Sequence, residues 1–364
     1  MYIYQRSSWP EFTWNREKIL KLLSEVKFSQ GLLLGKMEGL DFDLKEEAVL
    51  NVLTQDVLKS SEIEGEALNK EQVRSSIARR LGLDAGGGIN VERNVEGIVE
   101  MMLDATRHYD EPLTKDRLLG WHASLFPTGY SGMHKIEAAK FRDDKNGHMQ
   151  VVSCPIGKEK VHYQAPDASV LDIEVSRFLD WINNPKEICG VLAAGIAHLW
   201  FVTIHPFDDG NGRIARAITD MLLAKAENTD QRFYSVSAQI RKDRKAYYDI
   251  LEKTQKGDMD ITNWLVCYLE CLHKAIENTE EALSIVFNKA NFWHKYSIVT
   301  FNDRQKKVLN RFLDGFEGNL TSSKWAKISK SSQDSANRDI ADLIEKNILT
   351  KIGSGRSTQY VINT

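Results

Sequence analysis

Along this chain apolar residues recur mostly at three- and four-residue intervals, the period of a helix with one buried face. Over 45–60 (KEEAVLNVLTQDVLKS) that spacing sets Val49, Leu50, Leu53 and Val57 on one side. The segments 91–107 and 168–183 repeat the signal, the second ending in Phe178, Leu179, Trp181 and Ile182. Residues 188–204 (ICGVLAAGIAHLWFVTI) are apolar almost all round, which predicts a central helix buried on every side. Further helices are expected over 213–226 and 260–287. Two stretches depart from this period. DAGGGIN at 84–90 reads as a flexible loop joining helices. In 141–166, Asn146-Gly147, a β-stretch Met149–Ser153, a turn at Pro155–Lys158 and a second stretch Lys160–Gln164 make a hairpin signal. A lone hairpin is marginally stable in water, so this one is expected to lie over something as a flap.

Residues 301–364 change character. Helices are expected at 303–314, 322–330 and 332–346, the last with Ala336, Ile340, Leu343 and Ile344 along one face. ILTKI and STQYVI, on either side of Gly353-Ser354-Gly355, then read as a hairpin. Three helices and a hairpin in this order resemble a winged helix, the helix-turn-helix variant that places a recognition helix in a DNA major groove. The segment holds 11 Lys and Arg against 7 Asp and Glu, a net +4 that leaves −7 for the remainder. That is a weak electrostatic footprint, so 301–364 is a candidate for DNA contact and equally for protein contact.

The whole chain of 364 residues carries a net −3, which excludes a polycation built to coat nucleic acid. With 42% hydrophobic and 27% charged residues it can bury a core, and wholesale disorder is excluded. The four cysteines (154, 189, 267, 271) form no CxxC pair, which argues against a disulfide framework or a cysteine-held metal and for a reducing compartment. MYIYQRSSWPEF lacks the pattern of a secretory leader, and no apolar run reaches the ~18 residues needed to span a bilayer. A cytoplasmic protein without membrane contact is the expectation.

The chemistry concentrates in Ile204-His205-Pro206-Phe207-Asp208-Asp209-Gly210-Asn211-Gly212-Arg213-Ile214-Ala215-Arg216. A buried helix ends, a proline and two acids break it, and Gly-Asn-Gly opens the next helix. Glycines let backbone N–H groups approach a ligand, and the new helix adds unpaired donors and partial positive charge, an anion site suited to phosphates. Arg213 and Arg216, three apart, project from one face of that helix. Asp209 is placed to hold a hard cation between phosphate oxygens. His205 can take a proton from an attacking hydroxyl.

HPFDDGNGRIAR resembles the Fic family signature, H-x-F-x-[DE]-G-N-G-R-x-x-R, at every specified position. The resemblance implies an adenylyltransferase that moves AMP from ATP to a Tyr, Thr or Ser hydroxyl of a target protein or of itself and releases pyrophosphate. It implies His205 as base, Asp209 as the Mg²⁺ ligand, and Gly210, Asn211 and Gly212 as the phosphate cradle. Arg213 would hold the middle phosphate and Arg216 the terminal one. Phe141-Arg142 with MQVVS and VHYQAP is similar to the family's flap (141–166), whose edge aligns the target by strand addition, so that Gln150, Val151, Val152 and Ser153 touch target or nucleotide. AYYDILEKTQKGDMDITNWL resembles the segment after the active-site helix, with Tyr247 near the adenine and Gln255 where relatives often have Asn. The implied fold is mainly α: a Fic helical core with a β-hairpin flap over 91–290, an N-terminal helical region over 1–90, and a winged-helix (α+β) domain over 291–364.

Ser60-Ser61-Glu62-Ile63-Glu64-Gly65 is similar to the family's inhibitory motif, [ST]-x-x-x-E-[GN]. A carboxylate delivered to Arg216 would form a charge-assisted pair, occupy the guanidinium meant for the terminal phosphate and repel that phosphate. Ser60 would orient Glu64 or cap the helix end. Two other functions remain open at the level of sequence: a transcriptional regulator whose core senses nucleotide, and an enzyme that transfers a different phosphate-containing group. Family members often dimerise, so a homodimer is a further candidate.

Overall fold

The almost wholly apolar segment forms the helix on which the rest is built. In this computed structural model, which describes residues 1–83, 89–145, 147–153, 160–184, 188–313, 318–355 and 358–363, it runs Gly190–Ile204 with Val191, Leu192 and every residue from Ala194 to Ile204 buried. Most of the expected 84–90 loop, Asn146 and the expected turn at 155–158 lie outside the described residues. The chain divides into two compact units, Met1–Glu38 with Glu46–Thr279, and Gly39–Lys45 with Glu280–Thr364.

The helices in chain order are α1 (Arg16–Glu38), α2 (Phe42–Ile63), α3 (Lys70–Leu81), α4 (Arg93–Arg107), α5 (Lys115–Leu125), α6 (Leu171–Asn183), α7 (Gly190–Ile204), α8 (Asn211–Glu227), α9 (Val236–Lys242), α10 (Arg244–Gln255) and α11 (Thr262–Ala282). In the first unit α7 packs along α8, with α4, α5 and α6 around them. Two hairpins interrupt the helices: the short pair β1 (Tyr130–Ser131) and β2 (His134–Lys135), and the flap pair β3 (Gln150–Ser153) and β4 (Lys160–Gln164). The flap strands are antiparallel with a bulge between Val151 and Val152.

The expected separation of 1–90 from 91–290 is not a division between compact units. Trp9 sets its ring edge-on against Trp200 of α7, 6.0 Å between centroids. Thr13 N–H donates to Met259 O at 2.8 Å and Thr13 O accepts from Ile261 N–H at 2.9 Å. Burying aromatic surface and pairing backbone across 246 residues of sequence costs little once the elements exist, and it ties the N-terminal residues to the helical body.

The second unit contains α12 (Ser284–Lys295), α13 (Asp303–Leu313), α14 (Ser322–Ser329), α15 (Gln333–Glu345) and the antiparallel strands β5 (Leu349–Ile352) and β6 (Gln359–Ile362). Its own core gathers Trp325, Val308, Leu309, Ile340, Leu343 and Ile348. Arg304 reaches Asp339 by two hydrogen bonds of 2.9 Å, fixing α13 against α15. The single helix expected over 260–287 is two, broken at Leu283. The molecule is mainly helical with a few short strands, as expected. Among the described residues no helix is long and apolar enough to cross a membrane, and Cys189, Cys267 and Cys271 are free thiols.

Candidate active site

The helix α7 stops because His205 takes a left-handed backbone, φ 50° and ψ 59°, while its N–H still donates to Phe201 O. A side chain other than glycine costs about 1–2 kcal/mol there, so the surroundings must hold it. Buried Arg142 does so: its Nε donates to His205 O at 2.8 Å, its Nη2 to Pro166 O at 2.6 Å, and its Nη1 pairs with Asp144 at 2.8 Å. Its own backbone N–H donates to Pro206 O at 2.9 Å. The start of the flap is thereby riveted to the catalytic turn.

His205 Nδ1 lies 3.2 Å from Val202 O. A carbonyl can only accept, so Nδ1 carries the proton and Nε2 keeps its lone pair. Burial, aided by the Arg142 charge, pushes the imidazolium down to about 4, so the ring is neutral near pH 7. It borders a cavity of about 760 Å³ that also touches Gly212, Asp209, Tyr247 and the flap.

The turn after His205 is closed by Asn211, which accepts from Phe207 N–H at 3.0 Å and donates to Phe207 O at 2.8 Å. The Asn211 amide thus shapes the loop, and Asn211 with Gly212 borders the cavity. Gly210, at φ +83°, begins α8, and a Cβ there would press on Phe126 and Leu125. The helix N-terminus so exposed is the donor set expected for phosphates.

Asp209 accepts from Ser131 Oγ at 2.5 Å and from its neighbour Gly210 N–H at 2.6 Å. Its carboxylate keeps further lone pairs and is 43% exposed beside the cavity, so it fits a hard cation that carries most of its own water.

The two arginines of the motif are already engaged. Arg216 Nη2 pairs with Glu64 Oε1 at 2.8 Å, its Nε donates to Ser60 Oγ and its Nη2 to Ser60 O, each at 2.9 Å. Ser60 therefore grips Arg216 itself instead of orienting Glu64. The carboxylate of Glu64 lies over the glycine turn, since a Cβ on Gly212 would collide with its Oε1. Arg213 pairs with Glu66 Oε2 at 2.7 Å and stacks on Phe126, 5.0 Å to the ring centroid. Neither Arg213 nor Arg216 is among the residues that border the cavity, each being paired with an acid from the end of α2. Glu66 was missed in the sequence because nothing local marks it. Gly65, left-handed at φ +87°, ends α2, and Glu66 N–H closes the turn by donating to Ser61 O at 3.0 Å. One helix end thus delivers both acids.

Val152, Ser153, Tyr247 and Gln255 all border the same cavity. Gln255 donates to Val202 O and Thr203 Oγ1 at 3.3 Å, which fixes α10 to the end of α7. Tyr247 Oη lies 2.8 Å from His198 Nε2, and His198 Nδ1 lies 2.9 Å from Thr219 Oγ1, a buried chain beneath Arg216.

Parts of the chain are similar to known proteins. Residues 112–223 match the Fic/DOC family. Residues 2–83 match a family described as a domain of unknown function, DUF4172. The chain is 27% identical over 234 residues to a protein adenylyltransferase Fic from Culex quinquefasciatus, covering 62% of this chain and 41% of that one. It is 27% identical over 213 residues to a protein of the same name from Aedes aegypti, covering 56% and 38%. The chain therefore spans about two fifths of the length of these curated relatives. A crystal structure of a Fic family protein from Desulfovibrio desulfuricans G20 shares the fold, with TM-score 0.58 and 20% identity over 97% of this chain and 98% of that one.

Proposed function

We propose that this chain is a protein adenylyltransferase that moves AMP from ATP to a hydroxyl side chain and is held inactive by its own α2. The observation that carries the reading is His205: an imidazole with Nδ1 pinned and Nε2 unprotonated, bordering a cavity beside a glycine-opened helix N-terminus. In the reaction the target oxygen forms a bond to the α-phosphorus, the bond from that phosphorus to the bridging oxygen breaks, and pyrophosphate leaves with the electron pair. His205 Nε2 receives the hydroxyl proton. The backbone N–H groups at the start of α8 stabilise charge on the phosphate oxygens. Asp209 would hold Mg²⁺, which when bound neutralises phosphate charge. The exposed edge of β3 would present the target segment, and Tyr247 with Gln255 would bound the adenine end.

In the conformation described, Glu64 and Glu66 take the two guanidinium groups that a triphosphate needs. ATP bound against Glu64 would have its α-phosphate misplaced, and a shift of about 1 Å can cost about 100-fold in rate. Glu64→Gly should therefore raise self-modification with labelled ATP by about that factor, and Glu64→Gly/His205→Ala should abolish transfer to every hydroxyl that relies on His205 as its base. Mass spectrometry of the labelled protein tests the transferred group: an added AMP supports this reading, whereas phosphate, UMP or phosphocholine contradicts it. A nucleotide sensor would need no base, which disfavours that alternative.

We also propose that 291–364 is a winged helix, from three helices and a hairpin around Trp325. The outward residues of α15, Asp334, Asn337, Arg338 and Glu345, carry mixed charge, which favours a protein contact over DNA.

A further inference from the structure

A second hydroxyl–imidazole pair borders the cavity, and the proposed reaction does not use it. The bulge between Val151 and Val152 shifts the flap register so that Ser153 pairs with Lys160. His162, two residues beyond Lys160, then shares a face with Ser153; without the bulge it would point the other way. Ser153 Oγ lies 2.6 Å from His162 Nε2, and His162 Nδ1 lies 2.6 Å from Glu252 Oε2 on α10. Hydrogen bonds from Lys256 and from His162 hold the Glu252 carboxyl down at about 2, so it is an acceptor only. The Nδ1 proton therefore points at Glu252, Nε2 offers its lone pair, and Ser153 donates. A hydroxyl, a base and a carboxylate that orients the base form a relay of the kind that activates a serine. Ser153, His162 and His205 border one cavity, and Ser153 is exposed.

We infer that Ser153 is a self-modification site, its hydroxyl attacking the α-phosphorus of ATP held at the Gly210–Gly212 turn while His162, oriented by Glu252, takes the proton. The Ser153 Oγ–phosphorus bond forms, the bond from phosphorus to the bridging oxygen breaks, pyrophosphate leaves with the electron pair, and the proton resides on His162 Nε2. This rests on the adenylyltransferase reading. The product would carry a phosphodiester and a nucleoside on the strand edge proposed to present targets, so the modification would compete with target binding.

The test is peptide mapping by mass spectrometry of full-length Glu64→Gly protein after incubation with ATP and Mg²⁺. An AMP adduct is expected on the peptide containing Ser153, retained in Glu64→Gly/Ser153→Thr and reduced about 100-fold in Glu64→Gly/His162→Gln. Glu64→Gly/Glu252→Gln should reduce it as well while leaving the melting temperature within about a degree. AMP on other residues with Ser153 unmodified would overturn this inference and leave the transferase reading standing. An adduct at Ser153 undiminished by His162→Gln would overturn the relay. Absence of AMP from every peptide would overturn both.

Discussion

A neutral imidazole accepts a proton at any pH above its own titration, and burial sets where that titration falls. His205 at about 4, His122 at about 4 and His198 at about 3 are all lowered chiefly by burial. In the unfolded chain each titrates near 6.5. Between those values the unfolded state binds the extra protons, so stability rises with pH and is lost on acidification. The unfolding free energy should hold above about pH 7 and fall from pH 6.5 towards 5, by about 1.4 kcal/mol per pH unit for each fully titrating imidazole, read as a falling melting temperature; a flat profile through that window would contradict the burial. Arg142 belongs to the same scale. Its guanidinium ties His205 O to Pro166 O and Asp144, and removing it leaves both carbonyls without that donor and Asp144 with only Ala168 N–H and His148 beside it. Arg142→Ala should cost about 3 kcal/mol in a denaturant titration, and Arg142→Lys should recover little, because one ammonium cannot serve three directions. In the sequence, spacing and the resemblance to the Fic signature single out His205, Asp209 and Arg216 as candidates. Arg142 was visible only as part of a flap, since its partners lie 24 and 63 residues away.

Among the elements, the end of α2 has the strongest consequence. Its buried Ser60 and Ser61 bring the turn at Gly65 against α8, and Glu64 and Glu66 leave that turn towards successive arginines. Glu66→Gln removes a charge-assisted bond that is worth about 1.5–3 kcal/mol when buried, and less at the partial exposure of Glu66. Glu64→Gly/Glu66→Gln should therefore exceed Glu64→Gly in initial rate of ATP-dependent labelling by a few-fold; equal rates would mean that Arg213 is not needed by the triphosphate. Apolar spacing marks α2, α4, α6 and α7 in the sequence, because each buries side chains at helical intervals, whereas the mostly exposed flap strands are marked by their turn residues. In the long α1, Ile19, Val26, Leu33 and Met37 fall at helical spacing, but exposed Leu20, Phe28 and Leu32 on other faces blur the stripe. The break at Leu283 left no mark because both flanking segments are helix formers.

For the molecule as a whole, the two compact units carry separate cores. Trp325 is fully buried in the second, and Trp325→Ala should destabilise that unit by about 3–5 kcal/mol. Calorimetry should then resolve an earlier transition for it while the transition of the first unit stays in place; a single transition shifted as one would contradict separate cores. Partition into units was the least legible feature, because the contacts joining residues 1–38 to the helical body, Trp9 on Trp200 and Thr13 with Met259 and Ile261, are long-range and leave no local pattern. The account as a whole is tested most directly by incubating Glu64→Gly and Glu64→Gly/His205→Ala proteins with α-labelled ATP and reading incorporation at equal times. With Ser153→Ala added to both proteins, so that only His205-dependent transfer is read, strong labelling of the first and none of the second is expected; equal labelling of the two would contradict the role given to His205.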